Sequence, residues 1–75
     1  MLNYSNFVVE AMEYVDKKID NLNPKSLDRN RLHSRINRQI VANVKRISAL
    51  ERSDAYREID NIFNIQLLEE ISRCI

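Results

Sequence analysis

The sequence predicts an all-α fold, either a three-helix bundle or a long helical hairpin carrying a third helix. Three observations support this. Glycine is absent and proline occurs once, at Pro24, so tight hairpin turns that require positive φ have almost no suitable residues beyond Asn and Asp. Apolar residues recur at steps of three and four through three consecutive segments, the spacing that gathers side chains on one side of a helix. Only short breaks separate these segments, which favours antiparallel packing of successive helices within a single domain over residues 1–75.

In the first segment the stripe is Phe7, Val8, Ala11, Met12, Val15, Ile19 and Leu22. It predicts a helix over residues 6–21, with Ser5 as N-cap taking an otherwise unpaired amide proton of the first turn. Asn23 and Pro24 then punctuate the chain, since Asn caps well and Pro at the first helical position gives up an amide that would be unbonded anyway. Ser26 is an alternative cap. Beyond it Leu32, Ile36, Ile40, Val44, Ile47 and Leu50 continue the stripe, predicting a second helix of about 25 residues that ends near Glu51.

Arg52, Ser53 and Asp54 interrupt the pattern, and Ser53 or Asp54 is suited to cap a third helix beginning at Ala55. Its inward side would be Tyr56, Ile59, Phe63, Leu67, Ile71 and Cys74. Ile62, Ile65 and Leu68 project away from that stripe. Either the helix breaks between Asn61 and Asn64, or it is continuous with a second apolar face. Continuity is preferred, and the second face then needs a partner, so Ile62, Ile65 and Leu68 are candidates for a homo-oligomer interface.

Size and composition exclude several classes of function. A lone core in a chain of 75 residues typically supplies only roughly 3–5 kcal/mol of stability. With one cysteine, Cys74, no intrachain disulfide can add to it, and no Cys/His cluster offers a metal site. No cofactor is expected, and self-association is the remaining staple. Glu10, Glu13, Asp16, Lys17, Lys18 and Asp20 leave no apolar run for a signal peptide, and no later run approaches membrane-spanning length. The expectation is a cytoplasmic protein without membrane contact.

Absence of glycine also removes phosphate-cradling loops and the usual nucleophile elbow. The acid pairs Glu10 with Glu13 and Glu69 with Glu70 read as solvated residues, because a small bundle rarely encloses the concave site that acid–base chemistry requires. No nucleophile, base and orienting group occur together, so the chain is not expected to be an enzyme.

The charge distribution is the most specific feature. A net charge of +1 divides into −2 over residues 1–24, +6 over residues 25–52 and −3 over residues 53–75, and no acid lies between Arg29 and Leu50. On a helical projection the apolar stripe of the middle segment fills one arc of about 120°. Arg31, Arg35, Arg38, Lys45, Arg46 and Arg52 fall opposite it as a basic ridge. Arginine forks bind carboxylates and phosphates through paired hydrogen bonds. The same ridge could instead be neutralised within the chain by Glu10, Glu13, Asp54 and Glu58, or by the acidic segments of neighbouring subunits.

Single residues sharpen the picture only a little. Asn43 falls beside the apolar arc, either as a register-setting amide in a helical seam or as an ordinary bonded one. His33 has no His or Cys near it in sequence and reads as structural. Tyr56 reads as core, and Tyr14, off the main stripe, as a contact residue. Together these features lead to a small helical interaction module, expected to be a homo-oligomer, that binds or inhibits an acidic macromolecule through the ridge. The partner is an acidic protein surface, or alternatively nucleic acid held by its phosphates in a regulatory role, although no nucleic-acid module signature is present.

Overall fold

The computed structural model describes residues 4–22 and 27–74. Four helices follow one another, α1 (Tyr4–Leu22), α2 (Arg29–Ala42), α3 (Val44–Ser48) and α4 (Arg52–Cys74), and the described residues contain no strand. The three long helices make the predicted bundle. Asp16 meets His33 and Asp20 meets Arg29, so α1 and α2 are antiparallel. Arg35 meets Glu69 and Arg46 meets Glu58, so α2 and α3 run against α4. It follows that α1 and α4 run in the same direction, with Tyr14 and Lys18 both reaching Asp60.

The stripes converge as their spacing requires. Val15 and Ile19 of α1, Leu32, Ile36 and Ile40 of α2, Ile47 of α3 and Ile59 of α4 are fully buried, with Ala11, Met12, Ala55 and Phe63 beside them. Complete burial of one such aliphatic side chain is worth roughly 1.5–3 kcal/mol. Phe7, Val8, Tyr14, Tyr56, Ile62 and Leu67 pack around this core, partly buried.

Element boundaries depart from expectation in ways that local chemistry explains. α1 is already helical at Tyr4, so Ser5 lies within the helix and not ahead of it. Asn23, Pro24 and Ser26 lie outside the described residues. The cap of α2 is Asp28, whose carboxylate accepts the Arg31 amide at 3.1 Å. α4 begins at Arg52, three residues before the expected start, with Ser53 and Asp54 in its first turn. There Asp54 complements the positive end of the helix dipole.

The expected second helix of about 25 residues is interrupted. Asn43, at φ −112° and ψ 14°, closes α2 and precedes α3. Its amide is shared between the Gln39 and Ile40 carbonyls at 3.2 Å each, and its side-chain amide donates to Gln39 O at 2.8 Å. Asn competes well for backbone partners in this way, which is why it favours helix ends over interiors. Asn43 is therefore a junction residue, not a seam amide. The break turns Ile47 into the core and leaves Val44 half-buried and Leu50 exposed.

α4 is continuous through Asn61–Asn64, as preferred. Its apolar residues nonetheless surround it almost evenly. Ile71, expected inside, is 40% exposed, and the inward row is completed instead by Gln66 and Glu70. The side chain of Cys74 lies outside the described residues.

Candidate functional site

The basic ridge is not a single exposed face. Arg31, Arg35 and Arg38 lie on the flank of α2 that borders α4, and there they line a groove of about 470 Å³ with Ser34, Gln39, Gln66 and Glu69. Past the break at Asn43 the ridge disperses. Arg46 turns to Glu58 at 3.3 Å, and Lys45 has no ion-pair partner among the described residues. The Arg52 guanidinium lies over the Tyr56 ring, 5.7 Å from its centroid, at the far end of the bundle.

Arg35 is the organising residue of the groove. Its Nε donates to Gln66 Oε1 at 2.9 Å, its Nη1 to Glu70 Oε1 at 3.2 Å, and its Nη2 to Glu69. The Nε of Arg31 lies 3.4 Å from the same Glu70 oxygen. Glu70, only 3% exposed, is thus held between two arginines. A carboxylate so deeply buried needs this pairing, since the loss of hydration is costly otherwise. The reading of Glu69 and Glu70 as solvated acids fails for Glu70, which lies one turn beyond the buried Gln66 on the side of α4 that meets Arg35 of α2.

The intrachain partners of the ridge are mostly not those expected. Glu58 takes Arg46, but Asp54 lies beside Arg57 at 3.9 Å, and Glu10 and Glu13 pair with no cation among the described residues. The neutralising carboxylates are Glu69 and Glu70. What survives as open donor capacity is specific: both terminal amino groups of Arg31 and the whole guanidinium of Arg38, beside the Ser34 hydroxyl and the Gln39 amide.

Glu69, by contrast with Glu70, is half exposed. It and Arg35 also border a second depression of about 430 Å³ lined by Leu68, Ser72 and Arg73. The Arg35–Glu69 pair therefore partitions two adjoining concavities, one rich in arginine and one centred on Leu68. Of the residues expected to form an oligomer interface, Leu68 and Ile65 are 64% and 54% exposed, whereas Ile62 is half-buried against the core.

Tyr14 serves inside the molecule. Its hydroxyl donates to Asp60 Oδ1 at 2.7 Å, and its ring meets Tyr56 edge-on at 4.8 Å. Lys18 donates to the same Asp60 oxygen at 2.6 Å while lying over the Phe63 ring. The hydrogen bond to Asp60 raises the Tyr14 pKa, with burial and the Asp60 charge adding to it. Burial pushes the Asp60 carboxyl up, but the bonds from Lys18 and Tyr14 and the Lys18 charge outweigh it, so its pKa lies below the ordinary value. No sequence spacing announces this trio, since Tyr14 and Asp60 are 46 residues apart.

His33 sits 3.2 Å from Asp16 at the surface between α1 and α2. Among the described residues no group of three or more His, Cys, Asp or Glu is placed to hold a metal ion, and no helix is long and apolar enough to cross a membrane. Compared with protein-family models, curated proteins and solved structures, the chain matches none.

Proposed function

We propose that the chain is a non-enzymatic helical interaction module, acting in the cytoplasm, that binds an acidic protein surface through the groove between α2 and α4. The observation that carries this reading is the convergence of Arg31, Arg35 and Arg38 in one groove. Arg35 is locked from behind by Gln66 and Glu70. Arg38 and the outer ends of Arg31 keep their donors open. Arg31 is anchored through its Nε by Glu70, and a guanidinium so held loses little freedom when a carboxylate arrives, which is the benefit of preorganisation.

Protein carboxylates are favoured over nucleic acid because acids share the surface. Glu69 lines the groove and Glu58 accompanies Arg46. Those acids repel the dense charge of a nucleic-acid backbone more strongly than the sparser carboxylates of a protein chain. The non-enzymatic reading rests on the sequence, in which no nucleophile, base and orienting group occur together. Tyr14 and Asp60 bind each other, and neither borders the arginine groove.

The test is retention on immobilised polyglutamate and on duplex DNA at low salt. Arg38→Glu should abolish retention on polyglutamate with the helical circular dichroism intact. Arg31 and Arg35 are left unchanged because both hold the buried Glu70. Retention unaffected by the substitution would overturn the reading, and salt-sensitive retention on DNA alone would transfer the groove to phosphates.

A further inference from the structure

A second set of charges is left without partners on the outward side of α1. Val9 is 56% exposed there, with Glu13 and Lys17 beside it and Glu10 at the edge, where it also borders a depression lined by Leu50, Arg52 and Tyr56; all four are exposed. Steps of three and four place Glu10, Glu13 and Lys17 in one row. None of the three has an ion-pair partner among the described residues. The other acids of α1 are engaged, Asp16 beside His33 and Asp20 with Arg29.

This row is the chemical complement of the groove. It offers two carboxylates and an ammonium where the groove offers the open donors of Arg31 and Arg38 and the carboxylate of Glu69. Val9 supplies an apolar contact to match Leu68, which lines the depression adjoining the groove across the Arg35–Glu69 pair. We propose that the acidic partner of the groove is a second copy of this chain, presenting Val9, Glu10, Glu13 and Lys17. The proposal rests on the groove being a site for an acidic protein surface, and it names that surface.

The fold dictates the form of the assembly. The three long helices contact one another pairwise, so the groove between α2 and α4 lies opposite α1. The two complementary surfaces are then on opposite sides of the bundle, and the contact is heterologous: each copy can bind one neighbour through its groove and another through its α1 row. Such contacts extend head to tail and do not stop at a two-fold dimer. The row from Val9 to Lys17 spans roughly 12 Å of helix. A contact that narrow is at the small end of specific interfaces, and being held by charge it is weak and sensitive to salt.

Sedimentation velocity over a concentration series, at low and at high salt, tests this. The weight-average mass should climb past about twice the monomer at low salt, since growth is open-ended, and return to monomer at high salt. Glu13→Arg and Arg38→Glu should each stay monomeric with unchanged circular dichroism, and mixing the two variants should restore association between them. A wild-type chain that is monomeric at low salt, or association indifferent to Glu13→Arg, would overturn the proposal. Monomeric protein that still binds polyglutamate would keep the groove as a site for acidic protein and remove the second copy as its occupant. Monomeric protein that binds no polyglutamate would overturn both readings.

Discussion

Arg35 of α2 and Glu70 of α4 meet through Nη1 and Oε1 at 3.2 Å, with the carboxylate withdrawn from solvent inside the seam between the two helices. Neither residue belongs to an apolar stripe, yet the pair closes one side of the bundle. Truncating Glu70→Ala would leave Arg35 without its buried partner, at a cost of about 2–4 kcal/mol. Urea denaturation at neutral pH measures it. Replacing both partners, Arg35→Met with Glu70→Leu, should cost less than Glu70→Ala alone, because the charges then left without these partners, Arg31 and Glu69, are open to solvent. Equal losses would show that shape and not charge holds the seam.

Glu69 tests the opposite case. It is half exposed and pairs with the outer amino group of Arg35, where an incoming carboxylate would bind. Glu69→Gln should cost no more than about 1 kcal/mol of stability, and by removing a competing charge it should strengthen retention on polyglutamate by about two- to fivefold. Weaker retention would mean that Glu69 helps to form the site and does not compete for it.

The Tyr14–Asp60 bond makes stability depend on pH at both extremes. Because the folded pKa of Asp60 is lowered, its contribution is fully present above the unfolded value of about 3.9 and is lost as pH falls through the folded value. Tyr14 has the opposite sign. Its raised pKa means that stabilisation is present below about 10 and disappears as pH rises through the folded value. Urea midpoints measured across pH should show both limbs in the wild type. Asp60→Asn should flatten the acid limb, and Tyr14→Phe should flatten the alkaline limb while costing about 1 kcal/mol at neutral pH.

Two apolar residues of α4 separate core from surface. Phe63 is buried and Leu68 is largely exposed. Phe63→Ala should cost about 3–5 kcal/mol, enough to unfold most of a domain this small. Leu68→Ser should change stability by no more than about 0.5 kcal/mol. Circular dichroism and urea midpoints distinguish the two. A large loss at Leu68 would mean that its exposed side is already covered in solution.

Much of the bundle is legible in the residues. The stripes of the first and second segments place Val15, Ile19, Leu32, Ile36 and Ile40 inside, and all five are fully buried. The change of step from four to three at Val44, and the Asn before it, are the sequence traces of the break at Asn43. α4 is harder to read because apolar residues surround it, so its own pattern does not say which side turns inward. The expected side is right at Ile59 and Phe63 and wrong at Ile71. The arginine cluster is legible as a ridge, but its partition is not: Arg46 and Arg52 leave it, and Arg35 is drawn into the seam.

By itself the sequence determined the helical class, the order of the long helices and the identity of most of the core, because periodic burial is a property of each helix taken alone. Only the tertiary structure decided which charges meet. Pairing across helices depends on their relative rotation and axial offset, which are set when α1, α2 and α4 pack together. That packing brings Glu70 under Arg31 and Arg35, joins Tyr14 to Asp60, and leaves Arg38, Glu10, Glu13 and Lys17 without ion partners among the described residues.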